Sequence, residues 1–293
     1  MNWTGCFAAL ITPFKKDGTI DENGFASNID WLIKKKIAGI IPCGTTGESA
    51  TLAWEEHKRL IEIAVSTSAG RVPVIAGAGS NNTQEAIIAA QHAEKSNADA
   101  VLCIVPYYNK PTQEGMYQHF KAIATNIKIP LFLYNLPARC VVNMLPETVE
   151  RLMEIDNIIG IKEGNSDMMQ VSELHRRCGD RLTILSGDDS LTLPMLSMGA
   201  KGVISVAGNI IPEAMGEMIS LFFKGDVKGA LKIHERYSQL ISALFYETNP
   251  IPVKAAMNQL GFAAGGLRMP LVEMSDANLK RLLMVMQQTE IAK

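Results

Sequence analysis

Cysteine is scarce and scattered. The chain of 293 residues has five, at Cys6, Cys43, Cys103, Cys140 and Cys178. Their number is odd, their spacings are wide and no CxxC pair occurs, which argues against a disulfide framework or a zinc site and fits a reducing cytoplasm. Each reads as a small buried hydrophobe. An excess of one charge is also lacking: 28 basic and 30 acidic residues leave a formal net charge of −2. That gives no broad basic footprint for nucleic acid. No apolar run reaches the roughly 18 residues of a membrane span. Residues 1–14 have no basic n-region and run straight into an apolar strand pattern, so no signal peptide is expected. The histidines, His57, His92, His119, His175 and His234, all fall in helical stretches without HExxH spacing. They are expected on helix surfaces, and no metal is expected. The turn Gly77–Asn82 (GAGSNN) lacks the third glycine of a dinucleotide fingerprint, so an open doubly wound sheet has weak support.

What is present is core material. Hydrophobic residues make up 47% and charged residues 20%, which excludes a disordered chain. Eight short apolar runs recur along the first three quarters of the chain: Gly5–Thr12, Gly39–Cys43, Val72–Gly77, Ala100–Pro106, Pro130–Asn135, Ile158–Glu163, Leu182–Gly187 and Gly202–Ala207. They are continuous rather than alternating, as parallel strands covered on both faces should be. Between them lie helical patterns at Gly24–Lys36, Trp54–Ser68, Gln84–Lys95, Gln113–Asn126, Pro146–Met153, Asp167–Arg177, Ser190–Met198 and Pro212–Phe223. Pro146 and Pro212 suit first helical turns, and Thr83 and Asp167 suit N-caps. Eight strand–helix units predict an α/β fold, a (β/α)8 TIM barrel over residues 1–224. Strands then stop. Helices at Asp226–Leu244, Ile251–Leu260 and Asp276–Gln288 predict a C-terminal helical appendage over residues 225–293.

A barrel of this kind carries its site at the C-terminal ends of its strands. Lys162 stands near the end of the apolar run IIGIK, with alternation placing Gly160 and Lys162 on one face and Ile159, Ile161 and Glu163 on the other. Burial disfavours a charged amine, and a neutral amine can attack a carbonyl to form a Schiff base. A structural lysine paired with a carboxylate is the alternative at this point. Tyr134 ends the fifth run and could move protons, or simply fill the core. Thr45 and Thr46 lie in a glycine-flanked turn able to hold a carboxylate. Arg139 follows Pro137 in a loop and could clamp a second carboxylate. The loop after the seventh strand holds Asp188 and Asp189, which would repel a phosphate and argues against a sugar-phosphate aldolase.

Taken in order, the motifs GTTGES (Gly44–Ser49), YYNKP (Tyr107–Pro111), YNLPAR (Tyr134–Arg139), GIKEGN (Gly160–Asn165) and SGDD (Ser186–Asp189) span the chain. The sequence resembles the dihydrodipicolinate synthase family, within the pyruvate-dependent Schiff-base lyase superfamily that also contains N-acetylneuraminate lyase. The resemblance implies Lys162 as the lysine that captures pyruvate, and Thr45, Tyr134 and Tyr108 as a proton relay. It implies Thr46 as a ligand of the pyruvate carboxylate, Gly187 and Ile204 as lining of the pyruvate pocket, and Arg139 as the receiver of the carboxylate of L-aspartate 4-semialdehyde. In such members the tyrosine matched by Tyr108 enters from a neighbouring subunit, so a homotetramer, a dimer of dimers, is implied. No cofactor is implied, and the setting is lysine and diaminopimelate biosynthesis in the cytoplasm. Ala50, Trp54, His57, Asn81, Glu85 and Tyr107 match positions that bind L-lysine as a feedback inhibitor in many members, with Trp54 where some sensitive members have histidine. Cys140 stands where threonine is also familiar. The alternative on the same scaffold is an N-acetylneuraminate or keto-deoxy-sugar-acid lyase. Such enzymes typically lack an arginine at the position of Arg139.

Overall fold

The computed structural model describes residues 2–292. Among them the elements run β1 (Gly5–Ala9), α1 (Glu22–Lys34), β2 (Gly39–Ile41), α2 (Trp54–Ser68), β3 (Ile75–Gly77), α3 (Thr83–Lys95), β4 (Ala100–Ile104), α4 (Gln113–Ala124), β5 (Leu131–Asn135), α5 (Pro137–Cys140), α6 (Pro146–Leu152), β6 (Ile158–Glu163), α7 (Met168–Cys178), β7 (Thr183–Ser186), α8 (Thr192–Ser197), β8 (Gly202–Ser205), α9 (Pro212–Phe223), α10 (Val227–Ala243), α11 (Ile251–Gln259) and α12 (Asp276–Gln288). The strands make one eight-stranded sheet in the order β2-β1-β8-β7-β6-β5-β4-β3. With its alternating helices the fold is a (β/α)8 TIM barrel followed by C-terminal helices.

The eight strands fall within the eight expected runs. Most are shorter than those runs, because ladder bonding stops before the last apolar residues have turned into the loops. Leu10, Ile11 and Thr12 leave β1 but stay buried. Two local expectations are corrected. The N-cap of α3 is Asn82, not Thr83. The Asn82 side chain accepts from Gln84 N and Glu85 N, and Thr83 is already helical. Arg139 lies in the one-turn helix α5, not in a loop. Asp167 caps α7 as expected, accepting from Met169 N.

The chain divides into two compact units. One comprises residues 2–4 and Pro73–Ile204. Here parallel ladders join β3 to β4 and so on through β8. Phe132 pairs with Gly160 across β5 and β6. A Cβ on Gly160 would stand 2.3 Å from a Phe132 ring carbon and 2.8 Å from Thr183 O, so only glycine lets these three strands approach. The edge of Trp3 packs on the same ring at 5.2 Å. The expectation of surface histidines is corrected in this unit: His119 is buried on α4, its Nδ1 2.9 Å from Thr83 Oγ1.

The other unit comprises Gly5–Val72 and 205–292. β1 and β2 pair in parallel, Phe7 with Gly39 through Ala9 with Ile41. α9 packs on β1 and on α10, and α12 packs on α10 and α11. In both units the cysteines are buried and none forms a disulfide among the described residues.

Candidate active site

Lys162 is 7% exposed at the C-terminal end of β6, in register with Tyr134 on β5 and Leu185 on β7. Its Nζ lies 4.3 Å from the centroid of the Tyr134 ring. Tyr134 is itself 6% exposed. No carboxylate pairs with Lys162 among the described residues. The alternative of a structural, ion-paired lysine therefore fails here. A buried amine facing a tyrosine ring, with no counter-ion, is disposed to act as a nucleophile.

Behind this pair, on the opposite face of the same two strands, stands a polar network that sequence reading did not assign to function. Glu163 is fully buried. Its Oε1 accepts from Asn135 Nδ2 at 2.9 Å and from Asn165 N at 2.7 Å, and its Oε2 from Gln170 Nε2 at 3.1 Å. Asn143 Oδ1 accepts from Asn135 Nδ2 at 2.8 Å and from Gln170 Nε2 at 3.1 Å, while Asn143 Nδ2 donates to Gln170 Oε1 at 2.7 Å. Burial pushes the Glu163 carboxyl up to about 7, against the opposing pull of these donors. The only hint in the sequence was a glutamate ending an apolar strand.

The neighbouring strand ends complete this unit's part. Gly187 N donates to Glu163 O at 2.7 Å, and a Cβ on Gly187 would meet Glu163 O and Gly164 at 3.0 Å. Ile204 is buried in β8. Asp188 caps its own turn, accepting from Ser190 N and Oγ. Arg139 is exposed on α5. Tyr108 has a φ of 70° and is 91% exposed. That left-handed residue turns the loop so that its ring projects into solvent. Asn109 ties the loop to Asn81 O at 2.8 Å, and Glu85 accepts from Ser80 Oγ.

In the other unit the GTTGE turn is built by Gly47 N and Ser49 N donating to Gly44 O. Thr46 is buried and its Oγ1 accepts from Asn249 Nδ2 at 3.0 Å, while Thr45 is half-buried. Glu48 closes the turn with a φ of 55°. Its carboxylate takes Lys254 Nζ at 2.7 Å and Arg268 N at 3.1 Å, wholly buried. Lys254 also donates to Thr12 O and Gly266 O. Desolvation lowers its pKa against the pull of Glu48. The C-terminal helical region thus holds the threonine turn. Trp54 stacks on His57 at 5.5 Å, and Ala50 is exposed beside them in sequence.

A barrel with an unpaired buried lysine beside a tyrosine at a strand's C-terminal end belongs to the class of Schiff-base-forming lyases. Comparison with known proteins narrows the class. Residues 2–289 match the model of the dihydrodipicolinate synthetase family. The 4-hydroxy-tetrahydrodipicolinate synthase of Thermodesulfovibrio yellowstonii is 52% identical over 289 residues, covering 99% of both chains. The crystal structure of dihydrodipicolinate synthase from Aquifex aeolicus superposes with a TM-score of 0.97 at 45% identity, over 99% of each chain. The enzyme of Cyanidioschyzon merolae with lysine bound gives 0.97 at 41% identity, again over 99% of each. The chain belongs to the dihydrodipicolinate synthetase family.

Proposed function

We propose that the protein condenses pyruvate with L-aspartate 4-semialdehyde to 4-hydroxy-tetrahydrodipicolinate, in the diaminopimelate route to lysine. The observation that carries this reading is the amine of Lys162, buried without a counter-ion against Tyr134. Neutral Lys162 adds to the keto carbon of pyruvate and expels water, giving an imine. The imine acidifies the methyl group, whose proton leaves to give an enamine. The enamine attacks the aldehyde carbon of the semialdehyde. The semialdehyde's amine then displaces Lys162 by transimination and closes the ring. Tyr134 carries the successive protons, with Thr45 and Tyr108 as its relay. Thr46 holds the pyruvate carboxylate, Gly187 and Ile204 line that pocket, and Arg139 receives the semialdehyde carboxylate. Arg139 also separates this reading from the sialate lyases.

Borohydride reduction in the presence of pyruvate, followed by peptide mapping, tests the assignment. The adduct is expected on the peptide holding Lys162, and an adduct elsewhere would sink the reading. Lys162→Ala is expected to abolish capture, whereas Arg139→Ala keeps capture and loses semialdehyde turnover.

Three further readings rest on the same resemblance. L-Lysine inhibits through Ala50, Trp54, His57, Asn81, Glu85 and Tyr107, in line with the lysine-bound relative. A flat activity curve up to millimolar lysine would remove this. The chain works as a homotetramer, a dimer of dimers in the cytoplasm. In support, the Tyr108 ring is 91% exposed and so is available to a neighbouring subunit. Sedimentation equilibrium at the monomer mass would remove that. Residues 1–224 serve as the catalytic barrel and 225–293 as a helical appendage. In support, no strand follows β8 among the described residues.

A further inference from the structure

We propose that Glu163 is a positioning residue for the reaction, clamping β5 to β6 directly behind Tyr134 and Lys162. The inference rests on the reading of Lys162 as the imine-forming amine. Tyr134 and Lys162 form one registered pair across the two strands, and Asn135 and Glu163 form the next. Alternation sends the first pair to one face and the second to the other. The Asn135 Nδ2 to Glu163 bond, 2.9 Å and 3.2 Å to the two carboxylate oxygens, therefore bridges the strands one rung beyond the reacting groups. Gly164 N donating to Asn135 O and Gly187 N donating to Glu163 O continue the tie on the backbone.

The direction of every bond in this network is determined. Met144 N donates to Asn135 Oδ1 at 3.0 Å, so the Asn135 amide must offer its Nδ2 to Glu163 and Asn143. Asn143 Nδ2 donates to Gln170 Oε1, so Gln170 must offer its Nε2 to Glu163. Asn165 N has only a donor to give. Glu163 is thus the terminal acceptor, and no group in the network accepts from it. Asn135 reaches it from β5, Asn165 from the end of β6 and Gln170 from α7, with Asn143 behind them. The hydrogen-bond partners of Glu163 are all neutral groups: the Asn135 and Gln170 amides and the Asn165 backbone N–H. The ionised carboxylate, the form Glu163 takes above about pH 7, meets this demand. An amide of the same shape cannot, because its NH2 would confront a donor.

Glu163→Gln in the full chain separates positioning from bulk stability. Glu163→Gln keeps the side chain's volume, and loss of a desolvated charge offsets the new donor–donor contact, so the variant is expected to fold. With one rung of the clamp open, borohydride-quenched imine formation with pyruvate is expected to slow roughly 10- to 100-fold, the cost of a slightly misplaced reacting group. The pyruvate KM should change less than about threefold by the same argument. A purely structural role would instead lower the thermal midpoint and leave the rate of the folded protein alone. Wild-type rate in folded Glu163→Gln overturns the proposal. Should that variant fail to fold, Asn135→Ala cuts the same rung from β5: slow imine formation at unchanged KM supports the clamp, and a wild-type rate overturns it. The wild-type protein is trapped in parallel. If it forms no adduct at Lys162, the reading of the reaction fails, and the clamp with it. If it does, a fast Glu163→Gln removes the clamp alone.

Discussion

Among the described residues two lysines are buried, and what faces each one separates them. Lys254 meets the Glu48 carboxylate at 2.7 Å, the carbonyls of Thr12 and Gly266, and the Phe14 ring at 4.4 Å. Lys162 faces the Tyr134 ring at 4.3 Å, and among the described residues no carboxylate pairs with it. Removing the first leaves Glu48 buried and unpaired. Lys254→Met is therefore expected to cost about 3–5 kcal/mol, which thermal or denaturant unfolding would read directly. Removing the second strips no carboxylate of its partner. Lys162→Met is expected to keep the wild-type unfolding midpoint or raise it, while pyruvate capture is lost. A midpoint that fell equally in both variants would contradict the difference drawn between them. In sequence both are lysines near apolar residues. Lys162 stood out because it ends a strand pattern, and Lys254 did not because its partner lies 206 residues away.

At the scale of elements, β6 is the strand on which the site depends. Its glycine lets β5 and β7 close on it, its lysine faces Tyr134, and its glutamate holds β5 from behind. Gly160→Ala would press a methyl group to 2.3 Å from the Phe132 ring. The expected cost is about 1–3 kcal/mol of overpacking, read by unfolding, with a loss of imine formation because Phe132 lies two residues from Tyr134. Helix α3 offers a simpler case. Asn82→Ala removes the side chain that caps it and is expected to cost about 1 kcal/mol, whereas Thr83→Val loses only the hydroxyl beside His119. The residue types at 82 and 83 both cap helices, so the sequence admitted either. The backbone decided, since Asn82 takes extended dihedrals and Thr83 helical ones.

Across the whole molecule the pH dependence of stability sums groups that titrate in opposite senses. Burial lowers His119 to about 4 from its usual 6.5 and raises Glu163 to about 7 from 4.5. The unfolded chain binds the extra proton at His119, so that residue's contribution is full above pH 6.5 and is lost as pH falls toward 4. The folded chain binds the extra proton at Glu163, so stability there is lost as pH rises from 4.5 to 7. Each swing is on the order of 3 kcal/mol, and in the wild type the two largely cancel between pH 4.5 and 6.5. Glu163→Gln is expected to expose the histidine slope, with the thermal midpoint falling on acidification. His119→Gln is expected to expose the glutamate slope, with the midpoint falling on alkalinisation. Parallel slopes in the two variants would refute the assignment.

The sequence by itself determined the barrel. Continuous apolar runs are the direct imprint of parallel strands covered on both faces, and their recurrence with helices between them leaves few other architectures. It also singled out Lys162 as the candidate amine, since period-two alternation along IIGIK places it on one face with Gly160. The tertiary structure alone decided what surrounds that amine. The separation of Asn135 from Glu163 is 28 residues, and that of Asn249 from Thr46 is 203. Contacts at such distances leave no periodic trace in a single chain, because they depend on how whole elements pack. Only packing could show that Lys162 has no counter-ion among the described residues, that Lys254 has one, and that a buried glutamate stands behind the strand pair that carries Lys162 and Tyr134.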